Sequence, residues 1–246
     1  MRILVIENNA ATNLGLVGKA LDEAGATIDL RRPFESQPLP VDETDHDALI
    51  VLGGPQSAVD DAAHPYLPDV VRLLRRFGDA DRSVLGICLG SQLLARAYGG
   101  VNIIGTAPEF GWQRIETTAE GRSDRLLADL GTTFTSFQWH GDTFELPPGA
   151  LRLCTGSIVA NQAFRVGRAA YGTQFHFEAG RDTVARWTDA FPDAVEAMEP
   201  GWRKRHAERA GRHGPEADAA GLSIARAWVS TVRASSSGVE AVAACA

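Results

Sequence analysis

No stretch of the sequence approaches the roughly 18 consecutive apolar residues that a membrane span needs. The opening MRILVIENN has too short an apolar run for a cleaved leader and no small-residue cleavage site, so the sequence predicts a cytoplasmic protein. Cysteine is scarce. Cys88, Cys154 and Cys245 are odd in number and far apart, which argues against a disulfide framework and gives no four-ligand zinc spacing. Any thiol chemistry therefore rests on a single side chain. An excess of basic charge is missing too: 24 Lys and Arg stand against 31 Asp and Glu, a formal charge of -7. Without a global positive field to draw in nucleic acid, a small-molecule substrate or a protein partner fits better.

What is present is an ordinary globular mix, 44% apolar and 22% charged over 246 residues, enough for one large core. Short apolar runs recur at 2–6 (RILVI), 26–30 (ATIDL), 48–52 (ALIVL) and 84–87 (VLGI). Between them lie helically spaced residues: Leu14, Val17 and Leu21, then Leu67, Val70, Val71 and Leu74. Alternating strands and helices predict a parallel sheet covered on both faces. The second half turns β-rich, with WQRIETT, TFTSFQW, LRLCTG, IVANQAF and RAAYGTQFHFE reading as added antiparallel or edge strands. After Arg181 helical spacing returns. The Arg-rich stretch 200–217 reads as a solvated helix and loop, and SSSGVEAVAACA as a frayed tail.

Gly86-Ile87-Cys88-Leu89-Gly90 has the spacing of a nucleophile elbow, where a strand turns sharply into a helix and presents its central side chain. The glycines give clearance at the bend. Cys88 then sits at a helix N-terminus, where backbone amides and the helix dipole favour negative charge, and the Leu89 amide points toward an oxyanion formed on attack. A buried core cysteine is the competing reading, since free cysteine is among the most buried residue types. A second group of residues weighs against it. In YGTQFHFE, read as a strand, His176 and Glu178 are two apart and share a face, while Phe177 points the other way. A carboxylate beside the imidazole fixes its tautomer and stabilises the imidazolium, so Cys88, His176 and Glu178 complete a candidate triad.

LGGP at 52–55, GICLGSQ at 86–92, EFGW at 109–112, WHGD at 139–142 and QFHFE at 174–178 follow one another as they do in the class I, triad-type glutamine amidotransferases. The sequence resembles that family over roughly residues 1–190, and within it the glutaminase domain of GMP synthase and its stand-alone relatives. The resemblance implies a flavodoxin-like, doubly wound sheet with the site at the carboxyl ends of its strands. It implies oxyanion donors at Gly54 and Leu89, and substrate contacts at Gln92, Trp139, Gly141 and Asp142. It makes His140 and Glu109 structural groups. The substrate is then glutamine or another γ-glutamyl amide, hydrolysed without metal or organic cofactor, and residues 191–246 form a helical extension packed on the same domain.

Two departures stand out. Phe177 occupies the place where the family usually has proline, and nothing after residue 190 resembles the synthetase domain of two-domain GMP synthase. A glutaminase feeding a separate synthetase and a self-sufficient γ-glutamyl hydrolase both fit. Redox and glyoxal proteins of the same architecture also carry an elbow cysteine, but generally lack a late His-x-Glu, and an inactive scaffold would show degraded motifs.

Overall fold

The computed structural model describes residues 1–233. Four apolar runs form β1 (Arg2–Ile6), β2 (Thr27–Arg31), β3 (Ala48–Val51) and β4 (Ser83–Ile87). Helices α1 (Gly15–Glu23), α2 (Leu67–Asp79) and α3 (Leu89–Ala97) connect or follow them. Then come β5 (Asn102–Ile103), β6 (Glu109–Thr117), β7 (Thr133–His140), β8 (Thr143–Phe144), β9 (Leu151–Thr155), β10 (Ala163–Val166) and β11 (Ala170–Thr173), with a short α4 (Ala119–Ser123) between β6 and β7. Helices α5 (Arg181–Ala190), α6 (Pro192–Met198) and α7 (Trp202–Val229) complete the described chain.

Nine of these strands form one sheet in the order β2-β1-β3-β4-β11-β10-β9-β6-β7, and β5 pairs with β8 apart from it. From β2 through β11 the neighbours are parallel; from β11 to β7 they are antiparallel. The fold is therefore the flavodoxin-like α/β architecture with added antiparallel strands. Alternation along each central strand assigns its side chains to two layers. Ile3, Val5, Ile50 and Leu85 pack with α1 and with Ile224 and Trp228 of α7. Leu4, Ile6, Leu49 and Val51 pack with Leu73, Leu74 and Phe77 of α2 and Leu93 and Leu94 of α3. Strands buried on both faces read as unbroken apolar runs, which is why β1, β3 and β4 are plain in the sequence. Among the described residues no helix is long and apolar enough to cross a membrane.

Three expectations need correction. The strand read over 171–178 stops at Thr173; His176 makes an isolated bridge with Phe137, and Phe177 and Glu178 lie in a turn. Phe177 is 2% exposed and belongs to the core rather than to an outward face. The loop read within 200–217 is absent, since α7 runs through it with Pro215 inside. Trp202, fully buried, anchors the start of α7, while Arg205 and Arg209 both pair with Glu199 at 3.0 and 2.6 Å. The expected frayed tail and Cys245 lie outside the described residues.

The turn from β4 into α3 admits no side chains beside it. A β-carbon on Gly86 would collide with the Gly90 carbonyl oxygen, and one on Gly90 with the Val51 carbonyl oxygen, with that group's carbon 2.8 Å away. Both collisions are with backbone, which cannot rotate aside as a side chain can. Gly90→Ala should therefore pry α3 from β3 and cost about 1–3 kcal/mol, read as a lower urea midpoint.

Candidate active site

The carboxyl ends of the parallel strands converge, and each contributes residues: Asn8 and Asn9 after β1, Gly53 and Gly54 after β3, Cys88 after β4, Gln174 to Glu178 after β11. This is the crevice in which open α/β sheets bind ligands. A pocket of about 380 Å³ opens there, with Gly54, Cys88, Gln92, Trp139, Gly141 and His176 among its walls.

Cys88 holds φ 51° and ψ -108°, a left-handed-side conformation that side-chain-bearing residues rarely adopt. It is fixed from both sides. Its N–H donates to the Thr173 carbonyl at 2.8 Å, and its own carbonyl accepts the N–H groups of Ser91 and Gln92 at 2.9 and 3.1 Å. The sulfur lies 3.8 Å from the Trp139 carbonyl and 3.8 Å from Gln174 Nε2. It is 7% exposed and reached from the pocket, whereas Cys154 is sealed in the core, where burial raises its thiol pKa.

The His176 N–H donates to the Phe137 carbonyl at 2.8 Å, which places the ring over the pocket. Nδ1 is 2.7 Å from Glu178 Oε1. On the other side the ring faces Cys88, whose sulfur favours its charged form. Gly53 gives the scale: the point where its β-carbon would stand is 3.0 Å from His176 Cε1 and 3.6 Å from Cys88 Cβ. Burial works against a charged ring here, but the Glu178 carboxylate and the Cys88 sulfur outweigh it and hold the His176 pKa well above its ordinary value. Thus Cys88, His176 and Glu178, separated by up to ninety positions, come together at one end of the pocket. The pairing of His176 with Glu178 comes from the turn and not from strand alternation.

Gln92 lines the pocket, its Nε2 3.3 Å from the Asp142 carbonyl and 3.4 Å from Gln174 Oε1. Gly54 lines it as well, and a β-carbon there would be 3.2 Å from the Leu89 side chain, so the β3 loop and the start of α3 flank the same sulfur. Leu89 opens α3, and its N–H belongs to the first turn, whose donors have no partner within the helix. Trp139, Gly141 and Asp142 form the opposite rim, with Asp142 Oδ1 accepting from the Gly105 N–H at 2.7 Å. His140 donates to the Asp142 carbonyl at 2.9 Å and lies 3.1 Å from Glu109, which also accepts from Gln162 at 2.6 Å. Both side chains therefore hold the rim in place. His64 lies outside the pocket, packed edge-on against Tyr66.

The family model for class-I glutamine amidotransferases matches residues 5–185. The chain belongs to that family. Its relatives include a glutamine amidotransferase-like protein, YfeJ, from Salmonella typhimurium, 31% identical over 181 residues, 72% of this chain and 76% of that one. A glutamine-hydrolysing GMP synthase subunit of Natronomonas pharaonis is 29% identical over 195 residues, 76% of this chain and 96% of that polypeptide. The chain spans only 25% to 32% of the longer GMP synthases it matches. The crystal structure of a glutamine amidotransferase from Thermotoga maritima superposes with a TM-score of 0.82 at 28% identity, covering 95% of this chain and 99% of that one.

Several lining residues of this amidotransferase carry no signal in the sequence motifs: Asn9, Gln56, Trp187, Phe191 and Met198. The rule that ligands bind beyond strand ends points to Asn9, which follows β1 closely. Trp187, Phe191 and Met198 lie in or beside helices, and nothing in their spacing separates a pocket wall from core.

Proposed function

We propose that this amidotransferase hydrolyses the side-chain amide of glutamine, or of a γ-glutamyl conjugate, through a thioester on Cys88, with His176 as acid and base and Glu178 orienting the imidazole. One observation carries the reading: His176 shares a pocket wall with a strained elbow cysteine, both packed around Gly53, and has a carboxylate 2.7 Å from its other side. The Cys88 sulfur attacks the amide carbon and a C–S bond forms. The oxyanion is received by the Gly54 and Leu89 N–H groups. The His176 imidazolium gives its proton to the amide nitrogen, the C–N bond breaks, and ammonia or an amine leaves. Neutral His176 then takes a proton from water, the hydroxide attacks the thioester, the C–S bond breaks and glutamate leaves as the thiol is restored. Gln92 contacts the substrate amide, and the main chain of Trp139, Gly141 and Asp142 holds the amino-acid end of the substrate.

Residues 1–190 carry this chemistry, with the helices that follow an extension of the same unit. A relative named as one subunit of a GMP synthase supports release of the ammonia to a separate synthetase polypeptide. The aromatic side of the pocket, formed by Trp139, Trp187 and Phe191, favours the alternative, unaided turnover of conjugates. The test uses 6-diazo-5-oxo-L-norleucine, an electrophile shaped like glutamine. It should leave one adduct, on Cys88, and end ammonia release from glutamine. An unmodified Cys88 in folded protein treated with the reagent in the absence of glutamine would overturn the mechanism.

A further inference from the structure

Beside His176 the pocket is bounded by an aromatic wall larger than the loss of ammonia requires. The His176 ring stands edge-on to Trp187, centroids 5.1 Å apart; Trp187 meets Trp139 at 5.7 Å, and Trp139 meets Phe191 at 5.8 Å. Ala194 and Met198 of α6 continue this surface to the mouth. The wall is preformed: Trp187 Nε1 donates to the Ala11 carbonyl at 2.9 Å, which fixes the indole plane. It is also open, since Ala194 is exposed and Phe191 and Met198 are half-buried.

We infer that the substrates cleaved most efficiently are γ-glutamyl amides of apolar, ring-bearing amines, a conclusion that rests on the triad reading. His176 delivers the proton to the departing nitrogen, so the substituent on that nitrogen lies on the His176 side of the pocket. That side is Trp187, Trp139, Phe191, Ala194 and Met198, without a charged group among them. The one carboxylate in the lining, Asp142, already accepts from Gly105. A substituent with its own charge would lose water there and gain no partner. The volume of about 380 Å³ falls among pockets that enclose drug-sized ligands, roughly 300–1,000 Å³. All five residues but Trp139 lie beyond residue 185, where the family match ends. The cleavage leaves the bond changes of the proposed mechanism intact: the C–N bond breaks, His176 protonates the nitrogen, and the product is a free amine in place of ammonia.

The test compares kcat/KM of the purified chain on L-γ-glutamylbenzylamide, L-γ-glutamylglycine and L-glutamine. The benzylamide should lead both by about tenfold or more, the discrimination an apolar pocket can supply. Ala194→Glu, at an exposed position that tolerates the change, should lower the benzylamide value about tenfold relative to the glutamine value. Met198→Glu should do the same from the neighbouring turn. Glutamine or γ-glutamylglycine equalling the benzylamide, with Cys88 still labelled by the diazo-ketone, would overturn this specificity and leave the triad reading standing. No turnover of any substrate together with an unlabelled Cys88 would overturn both.

Discussion

Cys88→Gly should be inactive and yet more stable than Cys88→Ala. Both variants remove the sulfur, and loss of a nucleophile that works as one unit with its base lowers kcat on the order of 10⁴- to 10⁶-fold. They differ in the backbone. At φ 51° and ψ -108° an alanine keeps its β-carbon in a conformation costing about 1–3 kcal/mol, whereas glycine occupies this mirror image of extended backbone freely. Glycine gives back part of that gain through the greater entropy of its unfolded chain, so the net difference should be about 1 kcal/mol. For a chain of this size that is roughly 2–4 °C in Tm. Calorimetry on the two variants, beside an ammonia assay, decides it. A glycine variant no more stable than the alanine variant would show that the elbow stores no strain; retained turnover in either would remove Cys88 from the chemistry.

The same elbow shows what the sequence made readable. Gly86 and Gly90 are needed because backbone passes where their β-carbons would be, so the spacing records a packing constraint and stands out in any reading. The central strands are equally plain, because burial on both faces leaves no polar alternation in Ile3 to Ile6 or Ala48 to Val51. His176 and Glu178 stand out in the sequence for a reason the fold does not use. Period-2 alternation puts them on one face, but β11 ends at Thr173 where the Gln174 N–H turns to the Gln162 carbonyl at 2.8 Å, and the ring and carboxylate meet across a turn. Spacing alone could not separate the two geometries, since both bring residues i and i+2 together.

Apart from Trp139, the aromatic pocket wall was not legible. Trp187 reads as one apolar position of a helix, which it also is: it packs in the aromatic cluster with Phe110, Phe137 and Trp202 while its edge faces His176. A side chain serving core and pocket together carries no distinct pattern. Nor does the Arg-rich start of α7 declare its partners, because Glu199, which holds Arg205 and Arg209, is separated from them by the left-handed Gly201.

Glu178→Gln should shift the pH dependence of turnover as well as its height. In the native chain burial opposes a charged imidazole, while the Glu178 carboxylate and the Cys88 sulfur favour it and prevail, so the His176 pKa lies well above 6.5. Protonating the leaving amine needs the imidazolium, and the alkaline limb of kcat/KM should fall well above pH 6.5. Glutamine keeps a hydrogen-bond acceptor for Nδ1 and removes the charge. Loss of an adjacent opposite charge moves a pKa by about one to three units, so the limb should slide to lower pH by that much. The rate at its new optimum should drop on the order of 10²- to 10⁴-fold. Stability supplies an independent readout. A raised folded-state pKa contributes stabilisation that is complete below the unfolded value near 6.5 and fades as pH rises through the folded value. The stability gap between native chain and variant should therefore be widest at acid pH and narrow on the alkaline side. Equal gaps at pH 5.5 and 9, together with an unmoved limb, would mean that Glu178 holds the ring by geometry alone and that its charge has no part in keeping the proton on His176.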